Sequence, residues 1–533
     1  MESESVIHSG FKLKSLVIKG HPVLGNNTFN FLDENDISES IYFSVLIGPN
    51  GTGKSQLFRC LMELFRGIYQ FHNKGFRPPF FFRLEFYNNN TLHRFGNLSD
   101  NLYLKIVNFG KLPNGYPLAH LLMWDKLKNT YSPVDVNAFE ALLPSNIIAI
   151  SLMLTDRFIV PRNDKEKESF PIYKYLGVRN RPQQASTRGY VRRTVAFIVE
   201  QINSDVFKEG IGNLSKFLGY DGGILVQYKT AYTPKFFKGV TTSSLLDSFF
   251  MEIDQQYKIS GKQPPFKLNH YKSIKKQSGQ IEKIVDFMNY LFTNKRLSKA
   301  VKGSSSRYIQ YRIDDDKDHS FLKEEYVLMD ELRKLGFVST PDIKLIKAEQ
   351  ELGVQETSSG EFHFFSTMVG LMATVKTNSL IFIDEPEISL HPNWQMRYLE
   401  FIRQLFSEKK YSTCHIIIAT HSHFLISDLQ GDSAKIIGLK KEGNQIQTMD
   451  INTNTYGWSA EDVLYNIFEV SSTRNFYVAE EIGNLLKEIS KKDMDKEQIS
   501  NEVEKLSYMK TTLKDNDPLK SLIKNIEKEF TND

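Results

Sequence analysis

The sequence predicts an α/β fold: a mixed β-sheet lobe and a helical lobe, interrupted by a long helical insertion and closed by a helical C-terminal region. Three observations carry this. A glycine-rich turn follows an apolar run at residues 41–47. From residue 362 onward, helix and strand patterns alternate as 362–375, 379–383, 394–405 and 415–419. Between these blocks, residues 190–300 read as helical, punctuated by Pro264-Pro265 and Gly303-Ser-Ser-Ser306. Strands that alternate with helices pack as a parallel layer.

Each element follows in order. Residues 11–18 alternate as a strand, and 26–31 form its hairpin neighbour. The unbroken apolar run 41–47 suits a central strand buried on both faces. Aromatic-rich stretches 80–86 and 102–109 extend an antiparallel layer, and 147–151 is another buried strand. Residues 161–168 are charged and polar, the pattern of a surface loop. The tail from residue 480 is rich in Glu, Lys and Leu and reads as polar helices. No internal repeat or sustained heptad occurs, so long coiled-coil arms are not expected. The expected domains are 1–160 and 336–470 as the two halves of one lobe system, 161–335 as the helical insertion, and 471–533 as a helical region suited to partner docking.

With 533 residues, 41% hydrophobic, 12% aromatic and 24% charged, the chain has material for a large core and lacks the composition of a disordered one. No run of 18 uncharged apolar residues occurs, so no membrane span is expected. The start, MESESVIHSGFKLK, lacks the charged-then-apolar order of a secretion signal. Cys60 and Cys414 are isolated, which argues against a disulfide framework and a zinc site. A cytoplasmic protein is expected. Net charge is only +4, yet residues 262–312 hold 12 Lys+Arg against Glu282 and Asp286. Residues 173–193 add six Lys+Arg and no acid. The 262–312 belt interleaves Phe266, Tyr271, Tyr290, Phe292, Tyr308 and Tyr311, a pattern that suits either a single-strand binding surface or a solvated helical face over core aromatics.

Gly48-Pro49-Asn50-Gly51-Thr52-Gly53-Lys54-Ser55 matches G-x-x-x-x-G-K-[ST] between an apolar strand and a helix on which Leu57, Leu61, Leu64 and Ile68 recur. The glycines let backbone N–H groups turn inward around phosphates at a helix N-terminus. Lys54 would reach the β- and γ-phosphates of ATP, Ser55 would ligate Mg²⁺, and Gln56 follows within the nucleotide-binding set. The strand 380–383 ends in Asp384-Glu385: Asp384 is the metal candidate beside Ser55, and Glu385 would polarise the attacking water. Thr420-His421 ends another apolar strand, where His421 could contact the γ-phosphate or orient the water. Thr357-Ser358-Ser359-Gly360-Glu361 is a small-residue turn at a helix start, a second anion cradle.

In this order the four motifs resemble the nucleotide-binding domain of ABC-type ATPases. The resemblance implies that Ser358, Ser359, Gly360 and Glu361 form the signature that completes the ATP site of a second copy, that Ser389-Leu390 is the D-loop, and that His421 is the switch histidine. The run Asp384-Glu-Pro-Glu-Ile-Ser-Leu-His-Pro392 is similar to the SMC-like branch that includes the overcoming-lysogenisation-defect ATPases. Asp156-Arg157-Phe158, Tyr173-Lys174-Tyr175-Leu176-Gly177 and the segment 458–468 resemble the ATPases of Septu antiphage systems, including retron-associated versions. That resemblance implies a homodimer or higher homo-oligomer that controls a separate HNH-type nuclease, with a reverse transcriptase and its RNA–DNA product as further partners. Thr357 and Phe362 depart from the usual signature, and no Q-loop glutamine is found at 152–158, so slow ATP turnover is expected. Asp493-Met-Asp495 lies in a helical stretch with no strand before it, so no nuclease of the chain's own is expected. The alternatives are a DNA-repair ATPase and a scaffold in which ATP is structural.

Overall fold

The computed structural model describes residues 10–33, 40–70, 76–98, 120–125, 130–134, 139–181, 184–220, 223–231, 236–237, 239–297, 307–347, 350–353, 359–388, 390–427, 429, 433–443, 445–451, 455, 457–467, 480, 482–484, 486–487, 496–513 and 517–531. They fall into two units, 1–458 and 459–533.

The first unit is organised by a seven-stranded sheet. From one edge its strands are Gln445–Ile451, Ala434–Glu442, Tyr42–Ile47, His415–Thr420, Leu380–Asp384, Ile147–Ser151 and Tyr173–Tyr175. Only the first pair is antiparallel; the rest run parallel. Tyr42–Ile47, Ile147–Ser151, Leu380–Asp384 and His415–Thr420 are buried at every position. That two-sided burial is why they read as unbroken apolar runs. Register then aligns their ends: Thr420 pairs with Ile47, and Asp384 lies opposite both Ala419 and Ser151. The glycine turn, Asp384-Glu385 and Thr420-His421 therefore emerge at one carboxyl edge, where ligands bind in parallel sheets.

A second, antiparallel sheet runs Gly25–Asn30, Phe11–His21, Phe81–Asn88, Thr91–Gly96, His120–Asp125, Thr130–Pro133. Helix Lys54–Tyr69 fills the space between the two sheets. Its Leu57, Phe58, Leu61, Met62, Leu64, Phe65 and Ile68 share one core with Phe11, Phe82 and Phe86 on one side and Phe382 and Ile417 on the other. Phe58 meets Phe382 edge-on with centroids 5.3 Å apart, and Phe65 meets Phe11 at 6.0 Å.

A buried polar tie also joins the sheets. The Leu13 N–H donates to His415 Nδ1 at 3.0 Å, and His415 Nε2 lies 2.7 Å from Ser44 Oγ, which donates to the Phe31 carbonyl. Accepting at Nδ1 fixes the other tautomer, so Nε2–H is the donor to Ser44. Burial and the nearby Lys12 ammonium hold His415 neutral, well below its ordinary pKa. Lys12, itself buried, donates to the Ser412 carbonyl at 2.6 Å and to that of Cys414.

The insertion contains helices Thr187–Gln201, Asp205–Phe217, Ser243–Ser260, Phe266–Ile274, Gln280–Thr293 and Asp316–Lys334. It also holds strands that the helical reading did not foresee. Its Tyr308–Arg312 and Ile224–Lys229 join Asp342–Lys347 and Gln350–Gly353, which lie beyond residue 335, in a four-stranded antiparallel sheet. Residues 161–168, expected as loop, include the helix Asp164–Glu168, capped by Asn163, whose Oδ1 accepts from the Glu166 N–H at 2.9 Å. The expected helix 394–405 is two pieces, Pro392–Met396 and Tyr398–Leu405. Only the second buries an apolar face, and Arg397 between them sits over the Phe217 ring at 5.0 Å. The expected strand 102–109 and the Gly303–Ser306 turn lie outside the described residues.

In the second unit, helix Ala460–Asn466 starts with a reciprocal Ser459–Asp462 cap. Helices Lys496–Thr512 and Pro518–Thr531 pack through Val503, Leu506, Leu519, Ile523 and Ile526. Asp493 and Asp495 lie outside the described residues.

Candidate functional site

The glycine turn is shaped by backbone that side chains would spoil. Gly48, Gly51 and Gly53 all have positive φ, at 154°, 82° and 88°. A Cβ on Gly48 would sit 2.2 Å from the Leu439 carbonyl oxygen. Gly53 opens helix Lys54–Tyr69 in the left-handed conformation with no side-chain cap, so the first amides of the helix face the turn without a side-chain acceptor. Thr52 is buried, and its Oγ1 donates to the Pro49 carbonyl at 2.9 Å.

Lys54 is buried and spans the turn. Its ammonium donates to the Gly48 carbonyl at 2.7 Å and to Pro49 at 3.3 Å, and lies 2.9 Å from His421 Nε2. Burial pulls its pKa down to about 8, opposed by Glu385, Asp384 and Glu387. Ordered peptide oxygens thus occupy the hydrogen-bond donors that a phosphate would take.

Asp384 is 1% exposed, and neither of its carboxylate oxygens has a hydrogen-bond partner. Burial pushes its pKa up to about 7, with the Glu385 and Asp156 charges adding to the rise and Ser55 and Lys54 opposing it. A buried carboxylate left without partners is costly. Two hard oxygens beside a serine hydroxyl and a phosphate cradle fit Mg²⁺. Among the described residues no cluster of three or more His, Cys, Asp or Glu side chains could cage a metal, so the remaining ligands would come from phosphate and water.

Glu385 takes a left-handed φ of 51°, held by its N–H bond to the Ala419 carbonyl at 2.8 Å. A non-glycine residue adopts this conformation at a cost of about 1–2 kcal/mol. Its Oε1 lies 3.1 Å from His421 Nε2, the same nitrogen that faces Lys54. Protonation of that atom decides the bond: unprotonated, it accepts from Lys54; protonated, it donates to Glu385. The histidine holds the Glu385 pKa below its usual value.

Two further parts were not assigned from sequence. Glu387 Oε1 accepts the His421 backbone N–H at 2.6 Å, and burial raises the pKa of this carboxyl. Asp156 is gripped by Arg179 through Nε at 2.8 Å and through Nη2, and it accepts from Tyr175 at 2.7 Å. Glu387 stands two residues after Glu385, so its nearness was a usable signal; Asp156 and Arg179, 23 positions apart, offered none.

The structure brings Lys54, Asp384, Glu385 and His421 together. Ser359 starts helix Ser359–Thr374, and Gly360 is buried. Burial and the Glu361 carboxylate push the Tyr220 phenol up to about 12. Thr357, Ser358 and Ser389 lie outside the described residues. Gln56 has a buried Oε1 without a partner.

Four cations of the basic belt have carboxylate partners. Lys272 pairs with Asp254 (2.6 Å), Lys275 with Asp247 (2.7 Å), Arg296 with Asp318 (3.2 Å) and Arg312 with Asp314 (2.9 Å). All four carboxylates come from outside residues 262–312. Tyr271 and Tyr311 are buried in the core.

Residues 241–427 match the family model "AAA domain, putative AbiEii toxin, Type IV TA system", a stretch that takes in the Asp384 strand and His421 and leaves the glycine turn outside. The "Septu protein PtuA" of Bacillus thuringiensis is 25% identical over 147 residues, 27% of this chain. The match spans 35% of that relative's length. Similar solved structures are the SMC head domain from Thermotoga maritima (10% identity, 83% of this chain and 100% of that one, TM-score 0.32) and an Smc head domain derived from Pyrococcus furiosus, with an extended coiled coil and bound to the C-terminal domain of ScpA (11%, 89% and 100%, 0.29). Among the described residues no helix is long and apolar enough to cross a membrane. Sheet order and register make this an α/β fold with a mixed, mostly parallel central sheet, and they bring the glycine turn, Asp384-Glu385 and Thr420-His421 to its carboxyl edge.

Proposed function

We propose that this chain is an Mg²⁺-dependent ATP-binding subunit that hydrolyses ATP slowly as a homodimer and controls a separate HNH-type nuclease in antiphage defence. The observation that carries the ATP assignment is Asp384, a buried carboxylate with two orphaned oxygens beside Lys54 at the mouth of a glycine cradle. Bound Mg²⁺ would supply charge neutralisation at the phosphates, held by Ser55 and Asp384. The backbone amides of residues 51–55 bind the phosphate oxygens, and Lys54 exchanges the Gly48 and Pro49 carbonyls for them. Glu385 orients the attacking water and draws its proton, while His421, released from Lys54, donates to the γ-phosphate. Ser358–Glu361 of a second copy closes the site.

The likeness to the Septu protein supports the defence setting, and the nuclease partner follows from the same likeness. Glu385→Gln is the test. The variant should retain ATP affinity, lose at least about 100-fold in phosphate release, and still copurify with the nuclease. Wild-type turnover in Glu385→Gln, or unchanged ATP affinity in Lys54→Ala, would remove the site assignment; a chain that copurifies with no nuclease would remove the defence reading alone.

A further inference from the structure

A cleft of about 950 Å³ opens beside the edge strand Tyr173–Tyr175, between it, one face of helix Thr187–Gln201 and helix Asp316–Lys334. Arg188 and Arg192 are exposed on that face and Lys174 is exposed on the strand. Among the described residues none of the three has a carboxylate partner. Arg193 is half-buried, with its guanidinium donating to the Gly177 carbonyl and lying 5.0 Å from the Tyr190 ring centre. Its pKa is lowered by burial, and only tyrosines oppose that. The other cations there are already held, Lys167 by Asp164, Arg179 by Asp156 and Arg333 by Asp330. Glu168 and Glu200 are the acids that line it.

The four paired cations of the belt take acids from outside that segment. Here four cations converge on one concavity without a carboxylate partner, although burying Arg193 in that state is unfavourable. Phe197 and Tyr326, both partly exposed, add aromatic side chains to the walls, as does Tyr175, whose ring lies 5.4 Å from the Arg179 guanidinium. Arg188 and Arg192 lie one helical turn apart, about 6 Å, a spacing that lets each meet a different phosphate of one strand. Ring faces inside a cleft need unpaired bases to stack on them, which excludes a duplex, and cations strung along a helix exceed what one free nucleotide needs.

We propose that this cleft binds a single-stranded nucleic acid, with Lys174, Arg188, Arg192 and Arg193 on the phosphates and the tyrosines against the bases. The site lies outside the glycine cradle and does not depend on ATP turnover.

The experiment is fluorescence anisotropy of the full chain with a labelled oligothymidylate of about 20 nucleotides, across about 50–200 mM salt. Four neutralised phosphates give an affinity loss of about 50-fold over that range. In the Arg188→Gln/Arg192→Gln double variant, whose side chains are exposed, the loss should shrink to about sevenfold, and binding at low salt should weaken. An unchanged salt slope in the double variant would overturn the assignment. So would tighter binding to a duplex of the same length, or full displacement by free nucleoside triphosphate in a Lys54→Ala background. A Lys272→Gln/Lys275→Gln control in the belt should leave the slope as in wild type; if it alone lowers the slope, the strand lies on the belt and not in the cleft.

Discussion

Replacing Asp384 with Asn should make the metal-free protein more stable while destroying its Mg²⁺ response. Burial lifts this carboxyl from 3.8 to about 7. At about 1.4 kcal/mol per tenfold, keeping it ionised at pH 8 costs about 4 kcal/mol. The sign follows from linkage. With the folded pKa above the unfolded one, the group's stabilising share is complete below about pH 4 and is lost as pH rises to about 7. Asn carries no charge, but its buried amide adds about 1–2 kcal/mol of unmet hydrogen bonding. The net gain at pH 8 is then about 2–3 kcal/mol. For a unit the size of residues 1–458 that is roughly 2–3 °C in Tm. The assay is scanning fluorimetry with EDTA at pH 8 and pH 5. The advantage of Asp384→Asn should be present at pH 8 and vanish or reverse at pH 5. Adding Mg²⁺ and ATP should then raise the wild type alone. A variant that melts at or below wild type at pH 8 would refute the picture of Asp384 as a stressed, waiting ligand.

Asp384 and Lys54 together set a pH window for nucleotide. Mg-ATP affinity, measured by calorimetry, should fall below about pH 7 as Asp384 takes up its proton and above about pH 8 as Lys54 loses its own; a flat profile from pH 6 to 9 would contradict this. Gly48→Ala drives a Cβ to 2.2 Å from the Leu439 carbonyl oxygen, so stability should drop by at least about 2 kcal/mol in urea melts, with nucleotide affinity reduced. Asp156→Asn strands the buried Arg179 guanidinium and should cost about 3–5 kcal/mol; Asp156→Asn/Arg179→Met should recover most of it, and no recovery would mean that the pair is not the source of the loss.

Much of the parallel sheet was legible because two-sided burial forces unbroken apolar runs, and chemistry at strand ends follows from where such runs stop. Asp384, Glu385 and His421 were therefore assigned from position. Their mutual contacts were not, since Lys54 and His421 are 367 residues apart and meet only through strand order. The four-stranded sheet that joins the insertion to residues 342–353 escaped for a related reason. Leu225 pairs with Arg312 and Lys344, and strands whose partners lie so far off look locally like helix linkers. Counting charges within 262–312 overstated that surface, because Asp247, Asp254, Asp314 and Asp318 lie beyond the ends of the count. In the 173–193 stretch Lys174, Arg188 and Arg192 have no carboxylate partner among the described residues, a difference that composition alone does not display.

The strand that ends in Thr420 is pinned at its other end, where His415 bonds into both the first strand of the antiparallel sheet and Ser44. With parallel neighbours on both sides as well, it cannot slide to carry His421 toward or away from a bound phosphate. Motion of the imidazole is confined to torsions beyond Thr420 and to whatever Glu387 permits at the His421 amide. The histidine works as a latch on a fixed post, with the strand anchored at His415 and the imidazole turning only beyond Thr420.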